Sequence, residues 1–534
     1  MRKTRKGLTV LTGFLCIAIV AAGCSSSSNN NNKGASPSES AGASQSSASP
    51  SEAPKAPTKI SIITLDGGRV WKEDNPVTKE LEKRTNTIID ANLAPPGEIL
   101  NKYNVLAASG DIPDISKLPN FEFQKFADNG LFLDVGDLVE QYGPNLKKVI
   151  PQEMWDLVKY KGKQLAIPYV NVPSKIVPAV RQDWLDNLGL KMPTNLEEYE
   201  NMLVQFTNND PDKNGKNDTY GLGASGGWHG DFSMIFGAFG VMPFDSGNTR
   251  QNYLKDGVIY SSQISNEYKE AIAYIKKLWD EKVIDPEIFI VKQDQALQKL
   301  VQSKSGSFTA WWSIVPQVLG INLKMYEVNP SAKWNPFPVA IVGPEGKSGV
   351  ESRGSINGTI TISAKTKDPV AVIKFLDYLA SDEGWELANY GIKGVHYNDI
   401  YQGRTEAGNK AMEEKWLDPL AQTINRPDMM DKIAKSSSDP VQIENNKYIY
   451  VAYDYNLYED IFFGVPFTDV QKNLGPDLDK FEDEMFIRFV TGKEPLSNWD
   501  QYVENWKKKG GKEILESRVQ AYNELKGTSY TAGF

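Results

Sequence analysis

Histidine and cysteine are scarce in this 534-residue sequence, which contains two of each. His229 and His396 are too few and too far apart for a three-histidine metal site or a zinc protease. Cys16 and Cys24 both lie near the start, in a segment that we expect to be processed. The mature body is therefore predicted to have no disulfide, no thiolate metal site and no cysteine nucleophile.

An excess of basic residues and a long apolar run are also missing. The formal net charge is −9, which argues against nucleic acid and against charge-driven binding to an anionic membrane. The apolar stretch 8–22 is shorter than the roughly 20 residues that span a bilayer. Aromatic residues are plentiful, with 12 Trp, 23 Tyr and 21 Phe, and we expect most of them in the core.

The first 24 residues have the pattern of a lipoprotein signal. Basic residues at 2, 3, 5 and 6 precede the apolar stretch, and Ala22-Gly23 stands directly before Cys24. This arrangement predicts a signal peptide over 1–23 and lipidation of Cys24, which would hold the protein on the extracellular face of the cell membrane. An ordinary signal peptide with a chance cysteine is the alternative. Residues 24–57 are rich in Ser, Asn and Pro, and are predicted to form a disordered tether.

The body after the tether alternates strand and helix patterns. Strands are predicted at 59–65, 88–93 and 114–117, with helices at 76–84 and 98–108 between them. This order predicts an α/β fold with a parallel sheet, helices on both faces and ligands beyond the strand carboxyl ends. About 475 residues exceed one core, so two lobes are expected. Extended segments at 165–169 and 338–343 are predicted crossovers, followed by a strand at 359–363 and a helix at 369–380.

Several segments in order resemble one known family. They are Asn75-Pro76-Val77-Thr78-Lys79, the run 109–115, the run 181–190, the run 391–397, and 491–495 with Asn498-Trp499-Asp500. Together they resemble extracellular solute-binding lipoproteins of ABC importers, of the carbohydrate-binding type related to maltose- and alginate-oligosaccharide-binding proteins. The resemblance covers nearly the whole body.

The resemblance implies a two-lobed periplasmic-binding-protein-like fold with the ligand cleft between the lobes. The expected divisions are 58–170 and 338–410 for the first lobe, and 171–337 with a mainly helical 411–534 for the second. The implied function is capture of a saccharide and its delivery to ABC permease subunits, by a monomer that is not an enzyme. Two alternatives stay open: a cell-surface glycoside-active enzyme, and a lipoprotein that binds peptides or other solutes.

A calcium loop is the strongest local motif. Oxygen-bearing side chains recur at Asp210, Asp212, Asn214 and Asp218, Gly215 allows the sharp turn, and Lys216 is placed to offer its backbone carbonyl. The twelfth place is Gly221 instead of the usual Glu, and the alginate-binding relatives' Glu after the last Asp is Thr219 here. Glu197 or Glu198 is a candidate for the missing carboxylate. We predict a structural Ca²⁺ site, with a solvated Asp/Asn turn as the alternative.

A glycine-rich stretch follows the calcium loop. Residues 221–226 match a dinucleotide fingerprint and residues 223–227 a nucleophile elbow, but each motif needs a strand before it and a helix directly after it. We interpret the stretch as a loop that presents Trp228 and His229 to a ligand, with Trp228 as a core residue the alternative.

Trp311 and Trp312 are the main ligand candidates, because they end a strand-like run at 305–310. A flat ring suits the apolar face of a sugar, and adjacent strand residues point in opposite directions, so one of the two should face the cleft. In similar sugar-binding proteins this place carries a stacking Trp. Further candidates follow other predicted strands or crossovers, namely Asp66, Arg69, Trp71, Tyr169, Arg353 and Asn357. Arg353 could pair with a uronate carboxylate.

Overall fold

The computed structural model describes residues 56–534 with gaps. The gaps are 96, 120, 172–175, 243–250, 312–324, 326–328, 353, 440–442, 444–447, 449 and 452–453. The side chains of Trp228, Ala310 and Trp311 are also not described. The predictions for Cys24, the signal peptide, most of the tether, Trp312 and Arg353 therefore lie outside the described residues.

The described strands belong to four sheets. In chain order they are β1 (Thr58–Leu65), β2 (Thr87–Ala94), β3 (Ile115–Leu118), β4 (Ile167–Val170), β5 (Ile176–Arg181), β6 (Tyr220–Leu222), β7 (Asn252–Lys255), β8 (Val258–Ser261), β9 (Ser305–Trp311), β10 (Trp334–Pro336), β11 (Val350–Glu351), β12 (Ile356–Ile362), β13 (Leu457–Tyr458) and β14 (Thr531–Gly533).

Helices fill most of the sequence between these strands. The α-helices are Pro76–Thr85, Ile99–Ser109, Gln124–Ala127, Gly136–Tyr142, Pro144–Val149, Gln152–Leu157, Gln182–Leu188, Leu196–Asn208, Trp228–Asp231, Ser233–Ala238, Asn266–Asp280, Gln293–Val301, Pro369–Ala380, Asp382–Tyr390, Glu406–Glu413, Pro427–Ser436, Asp469–Val490, Trp499–Trp506 and Lys512–Lys526. Short 3₁₀ turns occur at Ser262–Ile264 and Leu496–Asn498, and a π-helical turn at Lys507–Gly511.

The first helix shows why the predicted boundaries are close to the observed ones. The Asn75 side chain accepts a hydrogen bond from Val77 N, and Pro76 occupies the first turn, where a missing N–H has no cost. The helix ends at Asn86, which has a left-handed backbone with φ 52°. The prediction of a helix at 369–380 is likewise confirmed.

The first sheet has the strand order β2-β1-β3-β12-β4. The strands β1, β2 and β3 are parallel, as predicted, but β12 is antiparallel to both β3 and β4. The prediction of parallel pairing is confirmed for β1, β2 and β3, and no direction was predicted for β12. The antiparallel direction of β12 has a topological reason: the chain that leads into β12 arrives at the edge where β3 ends, so β12 runs in the opposite direction.

Alternation along β1 divides the side chains between two core clusters. Ile60 and Ile62 pack with residues of the helix Pro369–Ala380 such as Phe375, whereas Ile63 packs with Tyr103 and Phe123 on the other face. Side chains two apart lie on the same face of a strand, so both faces of this sheet are covered. This confirms the prediction of helices on both faces.

The second sheet has the order β10-β5-β9-β6, in which β6 and β9 are parallel and β5 is antiparallel to β9. Its core cluster joins helices from distant parts of the chain, including Trp184, Phe206, Phe486 and Trp506. Two smaller sheets complete the fold, β14-β8-β7 and the pair β11-β13. We call the part built on β1 the first lobe and the part built on β9 the second lobe.

The chain crosses between the lobes at one edge of each sheet. In the first lobe, β1, β3 and β4 end at the edge where β12 begins, and Asn171 N donates to Ser355 O there at 2.8 Å. In the second lobe, β6 and β9 end at the edge where β5 begins. Six residue steps separate Val170 from Ile176, a reach of at most about 20 Å. The two sheet edges therefore delimit the candidate cleft.

Two segments pack in a different lobe from the one predicted for them. Ala340 and Ile341, predicted in the returning part of the first lobe, pack in the second lobe's cluster. Leu417 and Leu420, predicted in the mainly second-lobe part, pack in the first lobe's cluster. The segment after 338 stays on the second lobe because Gly343 fits closely against Ala238, where a Cβ would lie 1.8 Å from the Ala238 carbonyl oxygen. Among the described residues, no helix is both long and apolar enough to cross a membrane.

Candidate ligand-binding cleft

The loop after β1 turns sharply at the cleft edge of the first lobe. Gly67 and Gly68 have φ 53° and 78°, and a Cβ on Gly67 would lie 2.4 Å from Arg69 Nη1. Asp66 Oδ1 accepts from Gly68 N at 2.9 Å, so this predicted ligand residue stabilises the turn. The turn brings Arg69 back over the loop, where its Nη1 donates to Gly67 O at 2.8 Å.

Arg69 also forms an ion pair with a distant part of the first lobe. Its Nη2 donates to Asp418 Oδ2 at 2.7 Å, and the two side chains are 22% and 6% exposed. Burial opposes the charge of Arg69, but the hydrogen bond and charge of Asp418 outweigh burial and raise the pKa of Arg69. Arg69 is thus held in place at the cleft edge and remains charged.

Tyr169 lies at the end of β4, beside Lys117 at the end of β3. Lys117 Nζ is 3.2 Å from the centroid of the Tyr169 ring, and both residues are buried. Tyr169 Oη donates to Gln422 Oε1 at 3.4 Å, and burial raises the pKa of the phenol. The charge of Arg69 acts in the opposite direction on that phenol, which places the two predicted residues in one cluster.

Two buried amide side chains of the first lobe, one of them at this edge, have no hydrogen-bond partner among the described residues. Both side-chain polar atoms of Gln124 and of Asn171 are buried without a hydrogen-bond partner among the described residues. Gln124 is 6% exposed and Asn171 is 4% exposed. Buried amides normally form hydrogen bonds, so the unsatisfied Asn171 amide at the sheet edge indicates a place for polar ligand groups or water.

The second lobe contributes a loop and the end of β9. Residues 223–227 connect β6 to the short helix Trp228–Asp231, so the glycine stretch does follow a strand. His229 Nε2 lies 2.8 Å from Asp483 Oδ1 on the helix Asp469–Val490, a contact within this lobe. Along the backbone, Trp228 begins the short helix Trp228–Asp231 and Trp311 is the last residue of β9. These are the backbone positions expected for cleft residues.

The structure brings some predicted site residues together and separates others. Arg69 and Tyr169 share the first-lobe cluster, and Asn357 is a half-buried residue at the start of β12 on the same edge. Trp71 is partly buried and packs against the first-lobe core. Trp312 and Arg353 lie outside the described residues.

The sequence prediction missed five residues of the first lobe: Lys117, Gln124, Asn171, Asp418 and Gln422. Lys117 ends β3 and Asn171 follows β4, so the strand-end rule that selected Tyr169 also applies to them. Asp418 and Gln422 had no comparable signal, because their partners Arg69 and Tyr169 are 349 and 253 residues away.

The predicted calcium loop is folded around its own side chains. Asp210 accepts from the backbone of Asn214 and Gly215, while Asn214 Nδ2 donates to Asp212 Oδ2 at 3.0 Å and to Asp218 Oδ1 at 3.2 Å. Lys216 N donates to Asn214 Oδ1 at 2.8 Å. Among the described residues, no three His, Cys, Asp or Glu side chains are arranged as a complete metal site.

One carboxylate in this loop is left unsatisfied. Asp212 Oδ1 is buried without a hydrogen-bond partner, and burial, together with the nearby Asp210, raises the pKa of Asp212. Lys304 Nζ lies 2.5 Å from Asp218 Oδ2 and lowers the pKa of Asp218. The oxygen donors fit a hard cation, although Lys304 competes for one of them. Glu198 caps its own helix by accepting from Thr194 N and Oγ1, so it does not complete the loop.

Comparison with known proteins identifies the family. The family model of bacterial extracellular solute-binding proteins matches residues 72–384. The chain belongs to this family. The resemblance read from the sequence is thereby confirmed, and so is the α/β two-lobed fold class. The family consists of binding proteins.

Individual relatives cover most of the chain. The polygalacturonan/rhamnogalacturonan-binding protein YtcQ of Bacillus subtilis (strain 168) is 28% identical over 502 residues, which is 91% of this chain and 95% of the relative. The crystal structure of the alginate-binding protein AlgQ2 without calcium ion has a TM-score of 0.65 and 24% identity, over 88% of this chain and 99% of the other. The S. pneumoniae substrate-binding protein FusA in complex with kestose has a TM-score of 0.69 and 20% identity, over 88% and 100%.

Proposed function

We propose that this protein captures a saccharide in the cleft between its lobes and delivers it to the permease subunits of an ABC importer, without chemical change to the saccharide. The observation that carries the proposal is the buried amide of Asn171, at the first-lobe sheet edge of a solute-binding fold, whose polar atoms have no hydrogen-bond partner among the described residues. Such a site needs a ligand with many hydroxyl groups, because each hydroxyl both donates and accepts.

The relatives support a saccharide in preference to a peptide. The three proteins compared are described as binding polygalacturonan or rhamnogalacturonan, alginate, and kestose, all of them saccharides. A peptide binder needs a charged clamp for an α-amino and an α-carboxylate group. At this edge the charges of Arg69 and Asp418 are instead paired with each other.

Capture without hydrolysis is supported by the family, which consists of binding proteins. A glycosidase needs two carboxyl groups about 5 to 10 Å apart, one of them protonated near neutral pH. Asp418 is held by the Arg69 guanidinium, and Asp66 accepts the backbone N–H of Gly68. Both carboxylates are thus engaged in structural contacts of the first lobe.

Two further features belong to this proposal. A lipid on Cys24 would keep the protein at the extracellular face of the membrane, close to the permease, and palmitate labelling of wild type but not of Cys24→Ser would support it. A labelled, membrane-retained Cys24→Ser protein would overturn the anchor. Calcium, bound by Asp210, Asp212, Asn214, Asp218 and the Lys216 carbonyl, would neutralise the unsatisfied Asp212 carboxylate and stabilise the second lobe.

The experiment compares the variant Asn171→Ala with the control Gln164→Ala. The Asn171 amide has no hydrogen-bond partner among the described residues, so its removal should leave the free energy of unfolding unchanged or raised while saccharide affinity falls about tenfold or more. The buried Gln164 amide donates to Ala166 O and Trp155 O, so Gln164→Ala should lower stability and leave affinity unchanged. Loss of stability in Asn171→Ala with unchanged affinity for every saccharide bound by wild type would contradict the proposed site.

A further inference from the structure

Asp231 is a buried carboxylate of the second lobe, next to the sheet edge where β6 and β9 end. It ends the short helix Trp228–Asp231, is 2% exposed, and both of its carboxylate oxygens lie 3.0 Å from Ser225 N. The backbone of Thr309 also donates to it. One carboxylate therefore accepts hydrogen bonds from two different backbone segments.

These segments lead directly to the two aromatic candidates of this lobe. Ser225 lies in the loop 223–227 that precedes Trp228, and Thr309 lies on β9 two residues before Trp311. The loop packs closely against Gln293, since a Cβ on Gly226 would lie 2.3 Å from the Cα of Gln293, and Gly226 has φ 90°. Asp231 thus joins the loop, the short helix and β9.

The carboxylate is kept buried without a basic partner among the described residues. Burial raises the pKa of Asp231 to about 7, although the hydrogen bonds from Ser225 and Thr309 oppose that shift. The titratable neighbour on the helix Leu196–Asn208 is Tyr199, whose pKa is raised by burial and, in part, by the charge of Asp231. On the short helix itself, His229 is held by Asp483.

An ionised carboxylate has a specific advantage at this position. It has only acceptor sites, and hydrogen bonds to a charged acceptor are about twice as strong as neutral ones. A protonated Asp231 or an asparagine would use one oxygen or nitrogen as a donor, and that atom would face a backbone N–H. The loop would then lose one of the hydrogen bonds that hold it to Asp231.

We propose that Asp231 is a positioning residue for ligand binding, and that its ionised carboxylate fixes the loop 223–227 against β9 and so shapes the second-lobe wall of the cleft. This inference rests on the proposed function for its ligand, whereas the fixing of the loop does not depend on it. Saccharide affinity should therefore rise with pH through neutrality, while the residue itself touches no ligand.

The test has a ligand-free arm and a ligand arm. In the first, hydrogen–deuterium exchange of peptides covering 223–227 is followed in wild type, in Asp231→Asn and in the control Asp280→Asn, an exposed carboxylate of the same lobe. We expect exchange at least tenfold faster in Asp231→Asn alone. In the second, the affinity for oligogalacturonides and for kestose is measured between pH 6 and pH 8.

For wild type the ionised fraction of a group with a pKa near 7 changes about tenfold over this range, so affinity should rise about tenfold. Asp231→Asn should bind weakly and with a flat profile. The inference would be overturned if the 223–227 peptides of Asp231→Asn exchanged at the wild-type rate. It would also be overturned if saccharide affinity depended equally on pH in wild type and in Asp231→Asn. If wild type binds no saccharide, the proposed function fails, and the exchange arm alone decides whether Asp231 holds the loop.

Discussion

Lys117 points its ammonium group at the face of the Tyr169 ring, 3.2 Å from the ring centroid, with both side chains buried at the cleft edge of the first lobe. A desolvated cation over an aromatic face contributes about 2 kcal/mol. The pair joins the ends of two strands, β3 and β4, that are not neighbours in the sheet, because β12 lies between them.

Removal of the Tyr169 ring should therefore lower stability. We expect Tyr169→Ala to reduce the free energy of unfolding by about 3 to 5 kcal/mol, through lost burial and the lost ring partner of Lys117. Tyr169→Phe keeps the ring and loses only the long 3.4 Å contact with Gln422, so it should cost about 1 kcal/mol or less. Urea unfolding measures both. Equal losses in the two variants would show that the hydroxyl, and not the ring, matters.

The Arg69–Asp418 ion pair should behave as a coupled unit. Arg69→Ala leaves the Asp418 carboxylate, whose side chain is 6% exposed, without its cation, and we expect a loss of about 3 kcal/mol in the free energy of unfolding. Asp418→Asn in the same background should restore part of that loss. A double variant whose loss equals the sum of the two single losses would contradict the coupling.

Calcium should stabilise the protein if the loop 210–218 binds it. At a free concentration of about 100 times the Kd, the expected gain is about 2.7 kcal/mol, measured as a rise in Tm that a chelator reverses. Asp212→Asn should remove the response, while the surface variant Asp280→Asn should keep it. Lys304→Met should strengthen it, because the Lys304 ammonium at 2.5 Å from Asp218 competes with the metal. A wild-type Tm that ignores both calcium and chelator would end the proposal.

Asp460 should make stability depend on pH. Burial raises its pKa to about 6, and its Oδ2 has no hydrogen-bond partner among the described residues, while Oδ1 accepts from Asn252 N and Nδ2. An unfolded aspartate has a pKa of about 3.9, so between pH 4 and 6 the folded protein binds the extra proton. The free energy of unfolding should then fall by up to about 3 kcal/mol as the pH rises through that window.

Asp460→Asn provides the matched comparison. The asparagine oxygen can still accept from Asn252, and no group titrates at that position. The free energy of unfolding of wild type, relative to that of the variant, should therefore fall from pH 4 to pH 6 and then stay constant. Urea unfolding at a series of pH values measures this difference. Parallel stability profiles would contradict the assignment to Asp460.

The fold was largely predictable because its signals are local. The helix at 369–380 was predicted to the residue, and the strands and helices between 58 and 118 within one or two residues, since alternation, Asn75 and Pro76 mark them directly. The direction of β12 was not predictable from local sequence. It depends on where the chain re-enters the first lobe, and no pattern within 356–362 encodes that.

For each contact in the cleft, the sequence indicated one of the two residues and not its partner. Arg69 and Tyr169 follow strand ends, which the sequence indicates, but Asp418 and Gln422 come from a segment with no such mark. Gln124 and Asn171 look like ordinary polar residues until their burial without partners is known. Asp231 was not predicted, because no sequence pattern marks a buried carboxylate that accepts hydrogen bonds from Ser225 and from the backbone of Thr309.

Isothermal titration calorimetry of the purified full chain, with chromatography of the saccharide afterwards, tests the central claim most directly. Oligogalacturonides, alginate oligosaccharides and kestose are titrated, with a tripeptide as the comparison. We predict that at least one saccharide binds with one molecule per chain and is recovered intact, while the tripeptide does not bind. Recovery of shortened saccharide, or binding of the tripeptide alone, would contradict the assignment of this protein as a saccharide-capturing component of an importer.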